Sequence, residues 1–546
     1  MLRALIDFTL ASAARTYVAL GLICAALFLP GIAALPPIDR DEARFMQASK
    51  QMVETGDFAH VRLQDQPRDK KPPGAYWLQA AAAEIFSDQG RPLTWPYRLP
   101  SILGALLAVM ATAAAARRKD ALQDGMVAGV VLATMALVVT EAHLAKADAL
   151  QFGLAAVCFA TMLRAYTDRQ TSAGGVFIFW LALGASLLVK GPVIAALCLT
   201  TMAALAVADR DARWIWRLRP IIGIPTAWAV AGLWVPVAGL EEVKRAIGSG
   251  ISQDLLPKLL GGVESHGAPP GTHLVAAFFT LWPWSAALPA AGLLAWAGRT
   301  RPDIRFCLAW IVPFWLALEI VPTKLPHYIL PLLPAIAVLV AEAFRRPQEI
   351  ERLIGPKTVA AGKLAALAFP LVAVTALWVG HGLMQILMSM AFMACVVPPL
   401  LIALWSYDRQ IFRAHAPHIA VLATAFYGLL LGGVAPGANV LTLSPRLHAA
   451  IERAGGAKAT VALAGYHEPS AVFVMGTETV LTDGRGAAAH VLAARGNFAA
   501  VSRDELAAAE DEIQRAGYKL VRHAEISGYN YAKGQSVTLH IIQAAP

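Results

Sequence analysis

The stretch Pro36-Pro37-Ile38-Asp39-Arg40-Asp41-Glu42-Ala43-Arg44-Phe45 sets three acids and two arginines in six positions directly behind the first apolar run of the chain. A carboxylate at a membrane surface can accept the proton of a hydroxyl as that hydroxyl attacks an electrophilic carbon. Asp39, Asp41 and Glu42 are the carboxylates in that place, with Arg40 and Arg44 as the neighbouring cations. The alternative is a solvated helix start in which Asp39 or Asp41 caps the first turn. Further along, Arg68-Asp69-Lys70-Lys71-Pro72-Pro73-Gly74-Ala75-Tyr76-Trp77 places cations against a rigid turn and an aromatic anchor. Lys71, held by such a turn, could neutralise a phosphate leaving group as its charge develops. Lysines at a bilayer surface also snorkel or meet lipid headgroups, and that reading stays open.

Ionisable residues inside or at the mouths of apolar runs are costly in lipid unless they are paired or line a wet cavity. Asp148 follows Lys146 at the start of one such run, Lys190-Gly191 closes another, and Thr323-Lys324-Leu325-Pro326-His327-Tyr328 joins two more. Acid, lysine, histidine and tyrosine at one depth suit a cavity for a phosphorylated, polyhydroxylated substrate. Lys324 is a candidate phosphate ligand, and Lys190 and His327 are candidate cavity-lining groups with Tyr328 beside them. His60, His266 and His273 match no zinc spacing and read as surface histidines.

These residues need a scaffold in lipid. The chain has 546 residues, 57% hydrophobic and 15% charged, with a mean hydropathy of +0.55, more apolar surface than a water-soluble core requires. Apolar runs long enough to cross a bilayer centre on 14–35, 97–116, 122–140, 147–166, 174–189, 191–208, 220–239, 273–296, 304–321, 328–344, 360–380, 386–405 and 417–435, which predicts about thirteen spans. Loops rich in arginine alternate with loops carrying little beyond Lys146, Lys190 and Lys324. By the positive-inside rule the N-terminus is expected in the cytoplasm and the C-terminus outside, with two long outer loops over 38–96 and 240–272. Amphipathic stretches at 43–53 and 76–86 are expected to lie along the membrane surface.

Residues 1–435 thus form the expected membrane domain. From 436 to 546 short alternating strands (460–464, 471–475, 536–542) surround a polar helix at 503–516, the pattern of a small outer α/β domain. The net charge of +9 is spread in clusters between apolar runs, which is topology and not a nucleic-acid surface. All five cysteines, Cys24, Cys158, Cys198, Cys307 and Cys395, fall in apolar runs and form no disulfide or zinc pattern. No glycine-rich phosphate loop follows a strand in the membrane part, so neither ATP nor a nucleotide sugar is indicated.

The acidic pair after the first span, the run Lys71-Pro72-Pro73-Gly74-Ala75-Tyr76-Trp77 and the run Lys324-Leu325-Pro326-His327-Tyr328-Ile329-Leu330-Pro331 together resemble the bacterial aminoarabinose transferase family and its uronic-acid-transferring relatives. The resemblance implies a polytopic α-helical membrane protein of the C-type glycosyltransferase fold with a periplasmic α/β domain. It implies an inner-membrane enzyme that moves 4-amino-4-deoxy-L-arabinose, or a related sugar such as galacturonic acid, from a polyprenyl (undecaprenyl) phosphate. The acceptor would be lipid A or lipopolysaccharide core on the periplasmic face, with inversion at the anomeric carbon. It carries the catalytic acid onto Asp41, with Glu42 beside it, the donor-phosphate contacts onto Lys71 and Tyr328, and a cavity acid onto Asp148. It fixes no cofactor, and a divalent cation is left open. Phe45 departs from a common tyrosine, and the second outer loop offers only Lys244, Arg245 and Lys258 where an arginine is expected. A protein O-mannosyltransferase shares the acidic pair, and a transporter or flippase of a lipid-linked sugar is the reading from another class. A transporter would carry its charges nearer the bilayer midplane.

Overall fold

The structure, a computed structural model, describes residues 8–86, 93–117, 122–167, 171–257, 267–358, 360–362, 412–438, 441–457 and 459–546. The expected spans at 360–380 and 386–405, Lys258, His266 and Cys395 lie wholly or mostly outside them. The chain divides into two compact units, Met1–Pro30 with Asp69–Ala75 and Arg98–Leu430, and Gly31–Arg68 with Tyr76–Tyr97 and Leu431–Pro546. Residues 69–75 of the first outer loop thus group with the membrane helices, and most of the rest of that loop groups with the C-terminal domain.

Among the described residues, six helices are long and apolar enough to cross a membrane: Trp95–Ala116, Ala147–Tyr166, Ala173–Lys190, Pro220–Ala238, Pro326–Arg345 and Pro417–Gly437. Their surroundings differ. Pro326–Arg345 is 83% buried and Pro220–Ala238 only 17%, so the first is central while the second presents Ile221, Ile222 and Trp228 outward, as a lipid-facing helix should. The run 122–140 is a pair, Leu122–Ala133 and Ala136–Ala142, bent by 67°. At the break the Ala136 N–H donates to the Trp282 carbonyl at 2.9 Å, and Thr134 Oγ1 accepts from Trp284 Nε1 at 2.7 Å. A backbone group freed from its helix in lipid must find such a partner. The run 273–296 is likewise divided, into Thr272–Thr280 and Leu288–Ala297.

Two glycines bring the site's main helix into place. A Cβ on Gly104 would lie 2.4 Å from the Ala149 carbonyl oxygen, and one on Gly153 would lie 2.4 Å from that of Gly104. Helices Trp95–Ala116 and Ala147–Tyr166 therefore cross at backbone contact, a close approach that only small residues permit. One turn away Ser101 Oγ donates to the Leu144 carbonyl at 2.6 Å, fixing the turn that leads into Asp148. Gly104→Val should force these helices apart and cost about 3 kcal/mol or more. Thermal melting in detergent would read this as a lowered transition, and an unchanged one would contradict the packing.

In the second unit a five-stranded mixed sheet runs in the order Val480–Thr482, Val461–Ala464, Phe498–Ser502, Gln535–Ala545, Lys519–Asn530. Alternate residues feed two cores. Val461 and Leu463 pack with Leu447, Ile451 and Tyr466, and Ala462 and Ala464 with Ala488, Ala509 and Ile513, the period of two expected of a strand buried on both faces. The polar helix expected at 503–516 runs over Leu506–Arg515. The strand expected at 471–475 is instead the helix Pro469–Met475. A five-residue apolar run does not distinguish the two, and the punctuation decides it, Pro469 at the first position and Gly476 behind the last. The first-loop stretch 43–53 lies in the helix Asp41–Thr55, whose Gln47 donates to Thr477 Oγ1 at 2.8 Å and Lys50 to the Phe473 carbonyl at 3.2 Å.

Candidate functional site

In the membrane unit the end of Ala136–Ala142, the start of Ala147–Tyr166, the end of Ala173–Lys190 and the start of Pro326–Arg345 bring their ionisable residues together. Asp148 is buried and in contact with Lys190 Nζ. Lys146 Nζ stands 3.9 Å from Asp148 and 2.9 Å from Glu141, and His327 Nε2 3.5 Å from Asp148. The charge of Lys71 also reaches Asp148. Two lysines and an imidazole thus surround two carboxylates, with the charge of a third lysine reaching Asp148, a concentration of cations that a phosphate could offset.

Glu141 was not legible as a member of this group. It closes an apolar run seven residues before Asp148, and the bend at residues 134–135 swings it in. Its Oε1 faces Lys146, while Oε2 is buried with no hydrogen-bond partner. Tyr328 packs its ring edge-on against His327, centroids 5.1 Å apart. Lys324 donates to the Val321 carbonyl at 2.6 Å and is buried. His273, read as a surface histidine, is instead 1% exposed in the first turn of the helix Thr272–Thr280. Its ring lies 6.3 Å from that of Tyr328 and its Nε2 is 3.3 Å from the Leu325 carbonyl. His60 pairs with Asp57 at 2.9 Å. Among the described residues no three His, Cys, Asp or Glu gather closely enough to hold a metal ion. Of the second outer loop, Arg245 Nη1 reaches Asp69 at 2.8 Å, two residues before Lys71.

In the other unit, Asp41 is exposed at the start of its helix and Glu42 is buried behind it. Glu42 Oε2 accepts the Ile38 N–H at 2.9 Å, so this carboxylate closes the turn that presents Asp41. Asp39 does not cap the helix. It accepts the Ser470 N–H at 3.0 Å, and burial pushes its carboxyl up to about 6, with Glu468 adding to the rise and Ser470 and Arg44 opposing it. Arg44, half-buried, thus lies within electrostatic reach of Asp39.

A carboxyl whose folded value exceeds its unfolded one stabilises the fold in acid, and that stability is lost as pH rises through the folded value. Asp39→Asn should therefore melt higher than the parent at pH 8, by about 2–3 kcal/mol at most. The gap should close between pH 6 and 4. A gap that persists at pH 4 would show that charge is not its source.

Comparison with known proteins bears on the fold and on the resemblance. Residues 70–236 match the family model described as dolichyl-phosphate-mannose-protein mannosyltransferase. Over 380 residues the chain is 24% identical to the undecaprenyl phosphate-alpha-4-amino-4-deoxy-L-arabinose arabinosyl transferase of Yersinia enterocolitica, covering 65% of this chain and 65% of that relative, just under two thirds of its length. The crystal structure of ArnT from Cupriavidus metallidurans in the apo state superposes with a TM-score of 0.73 at 17% identity, over 96% of this chain and 97% of that one. The same protein bound to undecaprenyl phosphate gives a TM-score of 0.72 at 17% identity, over 97% and 98%. The chain is therefore a polytopic membrane protein of the C-type glycosyltransferase fold and a distant sequence relative of the aminoarabinose transferases, as the motifs around Asp41, Lys71 and Lys324 implied.

Proposed function

We propose that this protein is an inverting glycosyltransferase of the inner membrane that moves a sugar, 4-amino-4-deoxy-L-arabinose or a relative such as galacturonic acid, from undecaprenyl phosphate to lipid A or lipopolysaccharide core on the periplasmic face. The observation that carries it is the buried group of Lys146, Lys190 and His327 around Asp148 and Glu141, in a fold whose relatives are named for such donors. An N-terminus in the cytoplasm and a C-terminal domain in the periplasm follow from the distribution of arginines.

The reaction is a single displacement. The acceptor oxygen bonds to the anomeric carbon as the bond from that carbon to the phosphate oxygen breaks, and the acceptor proton passes to Asp41. The phosphate leaves with one more negative charge than it had in the bound donor. Lys71, Tyr328 and Arg44, the residues matched by the motifs, stabilise that charge. The unpartnered Oε2 of Glu141 is an acceptor for a sugar hydroxyl.

Mass spectrometry of lipid A and core oligosaccharide from cells with and without the protein tests this. A pentose-amine or uronic-acid increment that depends on the protein is the expected result and identifies the sugar. No difference in any lipopolysaccharide fraction would overturn the acceptor assignment and direct the search to protein acceptors or to transport.

A further inference from the structure

The residue before the proposed base has a backbone that its side chain disfavours. Arg40 has φ 71° and ψ −117°, a region adopted readily by glycine and at a cost by any other residue, and one that persists only where surrounding contacts impose it. Those contacts come from the C-terminal domain. The Asp39 N–H donates to the Tyr531 hydroxyl, the Arg40 guanidinium donates to the Ala532 carbonyl, and the Asp39 carboxylate accepts from Ser470 N–H. Tyr531 and Ala532 form the tip of the hairpin between Lys519–Asn530 and Gln535–Ala545. That tip is itself fixed, since Asn530 Oδ1 accepts the N–H groups of Ala532 and Lys533 at 3.0 and 3.1 Å while Asn530 Nδ2 donates to Glu468 at 2.7 Å.

We infer that the hairpin tip of the C-terminal domain is a positioning device for Asp41: Tyr531 and Ala532 hold the left-handed turn at Arg40 that aims the first residue of the helix Asp41–Thr55. Neither residue touches substrate in this reading, and both act through the backbone that carries the base. The inference rests on the proposed role of Asp41 and gives the C-terminal domain a part in turnover distinct from gripping the acceptor. A base misaimed by an ångström reacts slowly while the donor still binds.

The test compares Tyr531→Phe, Arg40→Ala and Arg40→Gly in the full-length protein. Tyr531→Phe removes one hydroxyl acceptor, and Arg40→Ala keeps the strain while deleting the contact that imposes it. Both should lower kcat about tenfold with the donor KM within about twofold of the parent. Arg40→Gly lacks the same side chain yet adopts the turn freely, so it should recover to within about threefold of the parent. Hydrogen exchange gives a second readout: amides of residues 38–44 should exchange faster in Tyr531→Phe and Arg40→Ala, with those of Phe498–Ser502 unchanged. An Arg40→Gly enzyme as impaired as Arg40→Ala would overturn the inference in favour of a direct role for the guanidinium. Unaltered exchange at 38–44 in both Tyr531→Phe and Arg40→Ala would overturn it outright. A parent protein that transfers no sugar would sink the glycosyltransferase reading instead, and the exchange result would still decide whether the tip holds the turn.

Discussion

Asp41→Asn should lower sugar transfer roughly a thousandfold, within the range expected when a general base loses its ability to accept a proton, while Glu42→Gln should cost only several-fold. The two acids are adjacent in sequence and opposite in circumstance. Asp41 is exposed at the helix start, and Glu42 is 2% exposed with an oxygen on the Ile38 N–H. An asparagine at 41 keeps the shape and the position at the helix N-terminus, so folding and donor binding should survive. A glutamine at 42 keeps an acceptor for Ile38. Initial rates with a purified lipid donor, together with the thermal transition of each variant, would separate the cases. Equal losses in both variants, or a residual Asp41→Asn rate within tenfold of the parent, would remove Asp41 from the role of base.

The membrane part was legible because lipid imposes a length and a composition that show in the sequence. Asp148, Lys190, Lys324 and His327 stood out because charge beside apolar runs demands a reason, and the structure brings Asp148, Lys190 and His327 within contact or a few ångströms of one another. Less visible was whatever depended on bends and on distant pairing. Glu141 reads from sequence as the polar end of a run and joins the group only because the helix breaks at Thr134, a break stabilised by Trp282 and Trp284 some 150 positions away. His273 was misread for a different reason, since the first residue of an apolar run next to a polar loop looks wet although it packs inside. In the C-terminal domain the strand Val461–Ala464 was legible although, buried on both faces, it lacks the alternation of a half-buried strand, whereas the apolar run 471–475 reads as a strand and is a helix. The hold of Tyr531 on Asp39 spans 492 positions, and no local pattern announces it.

Lys71→Ala should lower kcat by about a hundredfold to a thousandfold, the loss expected when one preorganised stabiliser of developing charge is removed. The donor KM should change little. The structure supplies a reason for the residues around Lys71. Pro72 and Pro73 fix two successive φ angles, and a Cβ on Gly74 would lie 2.8 Å from the Leu188 carbonyl oxygen. The turn therefore rests directly on the last turn of Ala173–Lys190, the helix that ends in the partner of Asp148. In the proposed reaction lysine and glycine act together, the close approach at Gly74 setting where Lys71 stands. Gly74→Val should accordingly reproduce much of the Lys71→Ala defect with every lysine still in the chain, and Lys71→Arg should recover part of the rate, because the charge remains while its reach and shape change. The division between kcat and KM decides the role. The phosphate carries more charge in the transition state than in the bound donor, so a group that meets it there contributes more to turnover than to binding. If Lys71→Ala raised KM and left kcat intact, Lys71 would be an anchor for the lipid headgroup with no part in the chemical step.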